Sequence, residues 1–334
     1  MNSLDVIIAT HRNDSFLKEA LNSVKNSVGV VVRVILIDDR ETDISPLPED
    51  LIDVVIKTSG RIGFEASVNL ALPHILSEFV TVLGSDDLVT PDRFIRQISR
   101  LEETGGNLSI CKLRKFDGRG FYPSLTGQVM GKKYSPKVLM IAPIGSDGSW
   151  LARKQWWKQN AFFKAHDSDW ALGLRVMMFT SIAYVPKGLY LYRMHMNQIT
   201  RRSIEAIRLT ETVFPDWVEQ NERMKLPALS KQEFSCLLNP AKSKNTGLEL
   251  ENISKWLNSY LRTLTCKELI ILQQVIGRKA IHLQLQTVKP IFGVKILILQ
   301  ILALPALALD ILRINFKHLK GGYSELRSRI WMDS

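Results

Sequence analysis

Apolar runs and helical spacings take turns along the first 110 residues. Val6-Ile7-Ile8-Ala9 is a short unbroken apolar run, as in a buried strand. Past Asn13-Asp14, the positions Phe16, Leu17, Ala20, Leu21 and Val24 fall at helical spacing, with Asp14 placed to cap the helix. Val31 to Ile37 is β-branched and continuous, the pattern of a central parallel strand. Val54-Val55-Ile56 repeats that pattern more weakly, Phe64 to Leu76 reads as a helix, and Phe79 to Leu83 as another strand. Strand and helix in alternation predict a parallel α/β sheet, whose ligands gather at the carboxyl ends of the strands.

Polar residues stand at those ends: Thr10-His11-Arg12 after the first strand, Asp38-Asp39 after the second, Ser85-Asp86-Asp87 after Leu83. Adjacent carboxylates repel unless a cation or hydrogen-bond donors offset them. Helix capping would explain Asp86-Asp87, but Thr90-Pro91 already offers a cap and a first-turn proline for the next helix. Asp38-Asp39 says less, because turns after strands are rich in Asp. From Gly145 to Thr200 the chain crowds Trp150, Trp156, Trp157, Phe162, Phe163 and Trp170 around His166, Asp167, Asp169 and His195. Such rings suit the apolar face of a sugar, although for any single Trp the core is the better assignment. Asp169 to Arg175 reads as a helix with Asp169 near its N-terminus, where the dipole favours an acid whatever its role.

Composition narrows the picture. A chain of 334 residues, 46% apolar, can bury a full core and holds more than one domain. The N-terminus has no basic stretch leading into an apolar segment, so no secretion signal is expected. Cys111, Cys236 and Cys266 are odd in number and far apart, which suits a reducing compartment and predicts the cytoplasm. A net charge of +11 raises the question of nucleic acid, but no run of five basic residues and no nucleic-acid motif occurs, so none is expected. A phosphate-rich substrate or an anionic lipid surface explains the charge as well. After Ser203 the pattern becomes helical, with Ile253, Trp256, Leu257, Tyr260 and Leu261 in register. Ile296 to Leu309 is almost wholly apolar and is followed by Arg313, Lys317 and Lys320. It is shorter than the roughly 20 residues of a spanning helix. It reads as a buried core helix or a shallow membrane-seated one, and the basic flank favours peripheral contact with the inner face of the membrane.

Taken together and in order, these segments resemble family 2 of the inverting glycosyltransferases, which share the GT-A fold. Asp5 to Asn13 is similar to the family's opening strand and nucleotide-contacting loop, with Thr10, His11 and Arg12. Val34 to Asp39 is similar to the strand whose second acid, here Asp39, reads the nucleobase. Gly63 to Leu72, with Ser67 and Asn69, resembles the helix that begins beside the donor, and Arg61 precedes it. Glu78 to Asp87 matches the strand leading to the metal-binding acids. Ser168 to Arg175 resembles the catalytic-base helix, and Leu189 to His195 the segment that returns to the donor phosphates. The first loop has Ala9 and His11-Arg12 where the family commonly has Pro and Tyr-Asn. The second continues Arg40-Glu41 instead of Gly-Ser, and Ser168 replaces a frequent Glu.

The resemblance implies a Rossmann-like, mostly parallel sheet flanked by helices over residues 1–202, with a helical C-terminal region over 203–334. Residues 1–110 would form the donor half and 111–202 the acceptor and catalytic half. It further implies transfer of a sugar from a nucleoside-diphosphate sugar to the hydroxyl of a glycan or lipid-linked glycan, in polysaccharide or glycolipid synthesis. Mg²⁺ or Mn²⁺ would sit on Asp87 first, Asp86 would contact ribose or metal, and His195 metal or diphosphate, with Arg193 near the phosphates. Asp169 would be the general base of a single inverting displacement, with Asp167 its rival. A nucleotidyltransferase would need a glycine-rich first loop, which Ala9-Thr10-His11-Arg12 lacks. A non-catalytic scaffold would have no use for Asp86, Asp87 and Asp169.

Overall fold

The computed structural model describes residues 1–41, 45–118, 120–121, 136–140, 146–160, 168–177, 182–196, 204–238 and 247–264. Asp167 and the apolar segment 296–309 lie outside them. The chain divides into two compact units, Met1–Met224 and Lys225–Ser334.

In the first unit, β1 (Ser3–Thr10), β2 (Val31–Asp38), β3 (Val54–Lys57) and β4 (Phe79–Gly84) are parallel, with Leu4 of β1 level with Phe79 of β4 and Thr10 level with Asp38. The rest of the sheet is mixed. β5 (Leu88–Val89), β6 (Leu108–Asp117), β7 (Gly120–Phe121), β8 (Trp150–Arg153) and β9 (Ile182–Arg193) complete the order β3-β2-β1-β4-β8-β6-β9-β5, with β7 on β6. β8 is antiparallel to both β4 and β6, while β6 and β9 run parallel.

Leu4, Val6 and Ile8 of β1 pack with α1 (Ser15–Lys25) and with Phe94, Ile98 and Leu101 of a later helix, while Ile7 between them is equally buried. Burial of both faces explains why the strand reads as an unbroken apolar run. Each such side chain contributes about 1.5–3 kcal/mol. Asp14 caps α1 as the sequence suggests, accepting from the N–H groups of Phe16 and Leu17, each at 3.1 Å. The helix read from Phe64 is shorter than expected: α2 (Phe64–Leu70) gives way to a 3-10 turn, Leu72–His74, around Pro73, which lacks an amide hydrogen.

The Thr90-Pro91 cap is also corrected. The helix α3 (Arg93–Thr104) begins at Arg93, whose N–H donates to Thr90 O at 3.0 Å. Asp92, in the cap position, spends its carboxylate on Thr90, Arg96 and Lys187. Asp86 and Asp87 precede this and cap no helix, because Asp87 N–H closes a turn on Gly84 O at 3.2 Å.

Under the sheet a buried polar seam runs from α3 to the turn before β8. Arg93 Nε donates to Gln97 at 2.9 Å and Arg93 Nη2 to Thr81 at 3.2 Å. Gln97 Nε2 donates to Ser109 O and Ser149 O, and Thr81 Oγ1 to Trp150 O at 2.5 Å. These bonds fix the 3-10 turn Asp147–Ser149 against the strands. The tryptophans of this region take the bland assignment: Trp150, Trp156 and Trp157, the latter two on α4 (Lys154–Asn160), and Trp170 are all buried core. Helices α5 (Asp169–Met177) and α6 (Ile204–Arg223) follow, joined by an Arg175–Asp216 pair at 2.7 Å.

In the second unit, α7 (Lys231–Leu238) opens on a capping box in which Ser230 Oγ accepts from Glu233 N–H and Glu233 accepts from Ser230 N–H. Asn252 of α8 (Gly247–Arg262) donates to Glu233 at 2.7 Å. Ile253, Trp256, Leu257, Tyr260 and Leu261 are all buried along α8, as their spacing predicts. Among the described residues no helix is long and apolar enough to cross a membrane.

Candidate active site

The parallel strands bring their C-terminal ends level, and the candidate residues emerge there. Thr10 O accepts from Asp39 N–H at 2.8 Å, tying the first loop to the second. Thr10 Oγ1 donates to Arg12 O at 2.5 Å and accepts from Arg12 N–H, closing a tight turn that carries His11. Arg12 Nε donates to His11 Nε2 at 2.9 Å, so that imidazole nitrogen is an acceptor. Burial, then the charges of Arg61 and Arg12, lower the His11 pKa, while Asp39 and Asp86 act in the opposite sense. Four candidate residues, Arg12, Arg61, Asp39 and Asp86, thus lie within electrostatic reach of His11.

Asp39 organises the next loop. Its Oδ1 accepts from Thr58 Oγ1 at 2.9 Å and Ile62 N–H at 2.8 Å, and its Oδ2 from Gly63 N–H at 3.0 Å. Gly63 has φ of 93°, a value that suits glycine, and leads into α2. Asp38 is spent on Arg40 through two hydrogen bonds, at 2.7 and 3.0 Å. Asn69 lies one helical turn beyond Glu65, on the same face of α2.

The two adjacent acids after β4 do different things. Asp87 is buried, with Oδ1 accepting from Arg193 N–H at 2.8 Å and Oδ2 from the Tyr190 hydroxyl. Burial and the neighbouring Asp86 push its pKa up to about 8, against those two donors. Asp86 is a third exposed, and its Oδ2 lies 2.7 Å from His195 Nε2. Gly84 makes room for both: a Cβ there would fall 2.6 Å from Asp87 Oδ2 and 3.1 Å from Asp86 Oδ1. Arg193 braces the loop, with Nε donating to Asp86 O at 2.6 Å and Nη2 to Glu19 of α1 at 2.7 Å. Its guanidinium lies over the Phe16 ring at 4.4 Å and the Phe116 ring at 4.7 Å.

Asp169 opens α5, where Ser168 Oγ accepts from Ala171 N–H at 3.1 Å in the manner of a cap. The backbone N–H groups of Trp170 and Asp147 lie close enough to the Asp169 carboxylate to favour its charged form. Burial first, then the charge of Asp147, raise its pKa to about 7, and Glu65 of α2 adds a weaker push. Asp147 is itself raised by burial, and its charge reaches Asp87 and Tyr190 as well. The fold therefore draws the acids of the strand ends and the acid of α5 into one electrostatic cluster.

Residues 5–168 match the family model described as glycosyl transferase family 2. That stretch is a glycosyl transferase family 2 domain. EpsH of Bacillus subtilis (strain 168), which bears a glycosyltransferase name, is 23% identical over 60% of this chain and 63% of its own length. The succinoglycan biosynthesis protein ExoO of Rhizobium meliloti (strain 1021) is 27% identical over 34% of each. The chain thus spans less than two thirds of the length of these curated relatives. A crystal structure of S. aureus TarS 1-349 in complex with UDP-GlcNAc superposes with a TM-score of 0.53 at 16% identity, over 85% of this chain and 81% of that one. The fold is of the GT-A type.

Tyr190, Glu65 and Asp147 join the cluster without having stood out in the sequence. Asp147-Gly148 reads as an ordinary turn dipeptide, and Tyr190 as one more strand aromatic.

Proposed function

We propose that the chain transfers a sugar from a nucleoside-diphosphate sugar to an acceptor hydroxyl with inversion. Residues 1–110 hold the donor, residues 111–202 present the acceptor and base, and the region from 203 onward carries the helices α6, α7 and α8. The observation that carries this reading is the electrostatic reach of Asp147 to both Asp169 and Asp87, with Glu65 also acting on Asp169. A base and a donor site must share one space for a direct displacement.

Arg12 and Arg61 offer a positive rim for the diphosphate beside His11, whose lowered pKa favours the neutral ring, and Asn69 lies on α2. Asp39 Oδ2 carries one protein donor, and its second lone pair is the acceptor assigned to a nucleobase N–H. Arg193 acts indirectly, since its guanidinium is committed to Asp86 O and Glu19. Among the described residues no group of three His, Cys, Asp or Glu is arranged to hold a metal. Mg²⁺ does not require one, because it commonly binds one or two protein groups plus substrate phosphates and waters. Asp86 and His195, a carboxylate and an imidazole that already converge, suit that role. Asp87 backs them from the buried side with both oxygens engaged. A divalent cation held there would neutralise charge developing on the leaving diphosphate. Asp169 takes the proton of the acceptor hydroxyl as it attacks the anomeric carbon, an effect worth about 10²–10⁴-fold.

The acceptor is a glycan or lipid-linked glycan of a surface polysaccharide or glycolipid. The segment 296–309 holds the enzyme peripherally on the cytoplasmic face of the membrane. Donor hydrolysis across a panel of nucleotide sugars, UDP-GlcNAc first, tests the activity, with Mg²⁺, with Mn²⁺ and with chelator. Cation-dependent release of nucleoside diphosphate from one donor supports the reading. Release of pyrophosphate from a nucleoside triphosphate and a sugar phosphate would replace it with nucleotidyl transfer, and no turnover with any donor would leave a scaffold.

A further inference from the structure

A strip of rings and cations leads from the acidic loop to the outer half of β6. His195, which meets Asp86, has its ring centroid 5.2 Å from that of Phe16. The Arg193 guanidinium lies over both Phe16 and Phe116. Phe116 pairs across the hairpin with Phe121 of β7, their centroids 6.0 Å apart, and the Arg114 guanidinium lies 3.9 Å over the Phe121 ring. Rings and cations thus touch in series from His195 out to Arg114.

The outer end of the strip is open to solvent. Phe121 is 53% exposed, with Arg114 exposed beside it. Gly188 of β9 makes room for the Arg114 stem, because a Cβ there would overlap its Cγ and Cδ. The guanidinium is therefore held by packing on the strand below and the ring beside it. Lys112, Arg114 and Phe116 alternate along β6 and so share one face. Burial, then the charge of Arg114, lower the Lys112 pKa, as two crowded cations require. Among the described residues neither Lys112 nor Arg114 makes an ion pair. Asp117, the acid of this hairpin, falls on the opposite face of the strand.

We propose that this face of β6 and β7 docks the acceptor, and that the acceptor is an acidic glycan. The inference rests on the reading of the chain as a sugar transferase and names the substrate class of the same site. The open Phe121 ring takes the apolar face of a sugar, and Arg114 and Lys112 take the carboxylates or phosphates that the glycan carries. The inner end of the strip then brings the acceptor chain to His195 and Asp86, beside the donor. The tryptophans are buried core, so Phe121 supplies the sugar-facing ring that they do not. A bilayer contact would need a broader apolar face than one open ring offers.

The test is calorimetric binding to the full chain, at low salt, of tetragalacturonate and of its methyl ester, which keeps the rings and removes the charge. The acid form is expected to bind about 10-fold or more tighter than the ester. Arg114→Gln and Phe121→Ala should each weaken the acid form by about 5-fold or more, with affinity for UDP unchanged. Should Phe121→Ala fail to fold, Arg114→Gln, at an exposed position, decides alone. No binding of the acid form, equal binding of the ester, or undiminished binding by Arg114→Gln overturns the proposal. Vesicles of phosphatidylglycerol that bind the unaltered chain but not Arg114→Gln, when neither oligosaccharide binds, overturn it in favour of a membrane contact. Charge-dependent binding of tetragalacturonate through Arg114, in a chain without turnover on any nucleotide sugar, overturns the acceptor role through the transferase reading it rests on.

Discussion

Replacing the Asp169 carboxylate by an amide of the same size keeps its hydrogen-bonding shape and removes a proton acceptor. Asp169→Asn is therefore expected to lower kcat by about 10²-fold or more while leaving donor affinity unchanged, by steady-state kinetics and calorimetry. Asp167→Asn should cost much less, and a large loss there with none at Asp169 would move the base two residues upstream. The same substitution reads out stability. The folded-state pKa of Asp169, raised to about 7 from 3.8, means that the folded chain holds this proton more tightly than the unfolded one. The resulting stability is complete below pH 3.8 and lost as pH rises through about 7. At pH 8 Asp169→Asn should therefore melt at a higher temperature than the unaltered chain, with the gap closing between pH 7 and 4. An equal or lower melting point at pH 8 would contradict the raised pKa. Gly84→Ala is a second single-residue expectation. Its Cβ would enter the space of the Asp87 carboxylate, so donor binding should weaken at least about 10-fold, a loss of some 1.4 kcal/mol, with a lower melting temperature.

Between elements, the acidic loop after β4 is stable because β9 carries its partners: Tyr190 and Arg193 for Asp87, and His195 for Asp86. Tyr190→Phe removes one of the two donors to a buried carboxyl, which should destabilise the fold by about 1–3 kcal/mol in chemical denaturation and weaken donor binding with it. Unchanged stability would show that the hydroxyl is dispensable. The same elements show what was legible beforehand. β1 over Val6–Ile8 and β2 over Val34–Ile37 are buried on both faces, so those apolar runs are unbroken. β4 is broken only by the buried Thr81, and the polar ends of all three are easy to see. β9 is interrupted by Pro186, Lys187 and Gly188, and β6 shifts register at Lys112, so neither keeps a two-residue period along its length. β8 is four residues long and hidden among tryptophans. The motif residues Asp86, Asp87, Asp169 and His195 could be picked out as chemically suited, but their division of labour could not. Which of two adjacent acids faces inward depends on Tyr190, 103 positions away. Sequence spacing carries no information about such pairs.

At the scale of the whole chain, the charge of +11 and the apolar segment 296–309 point the same way. The full chain is expected to float with vesicles containing anionic lipid at low salt and to be released as salt is raised. Truncation before Lys295 should abolish flotation. A full chain that stays at the bottom of the gradient at every salt concentration would remove the membrane from the reading.

The place of β4 in the sheet also sets an order of events during synthesis. Its one neighbour, β1, leaves the ribosome before it, but the other, β8, comes only at Trp150–Arg153, clasped through Arg153 to Glu78. In the interval the nascent chain can assemble the parallel half while one full edge of β4 stays unpaired, the kind of edge that recruits foreign strands. The apolar positions that make this strand dependable in the finished enzyme are thus its weak point in the making, and the short β8 acts as the closure that ends the exposure.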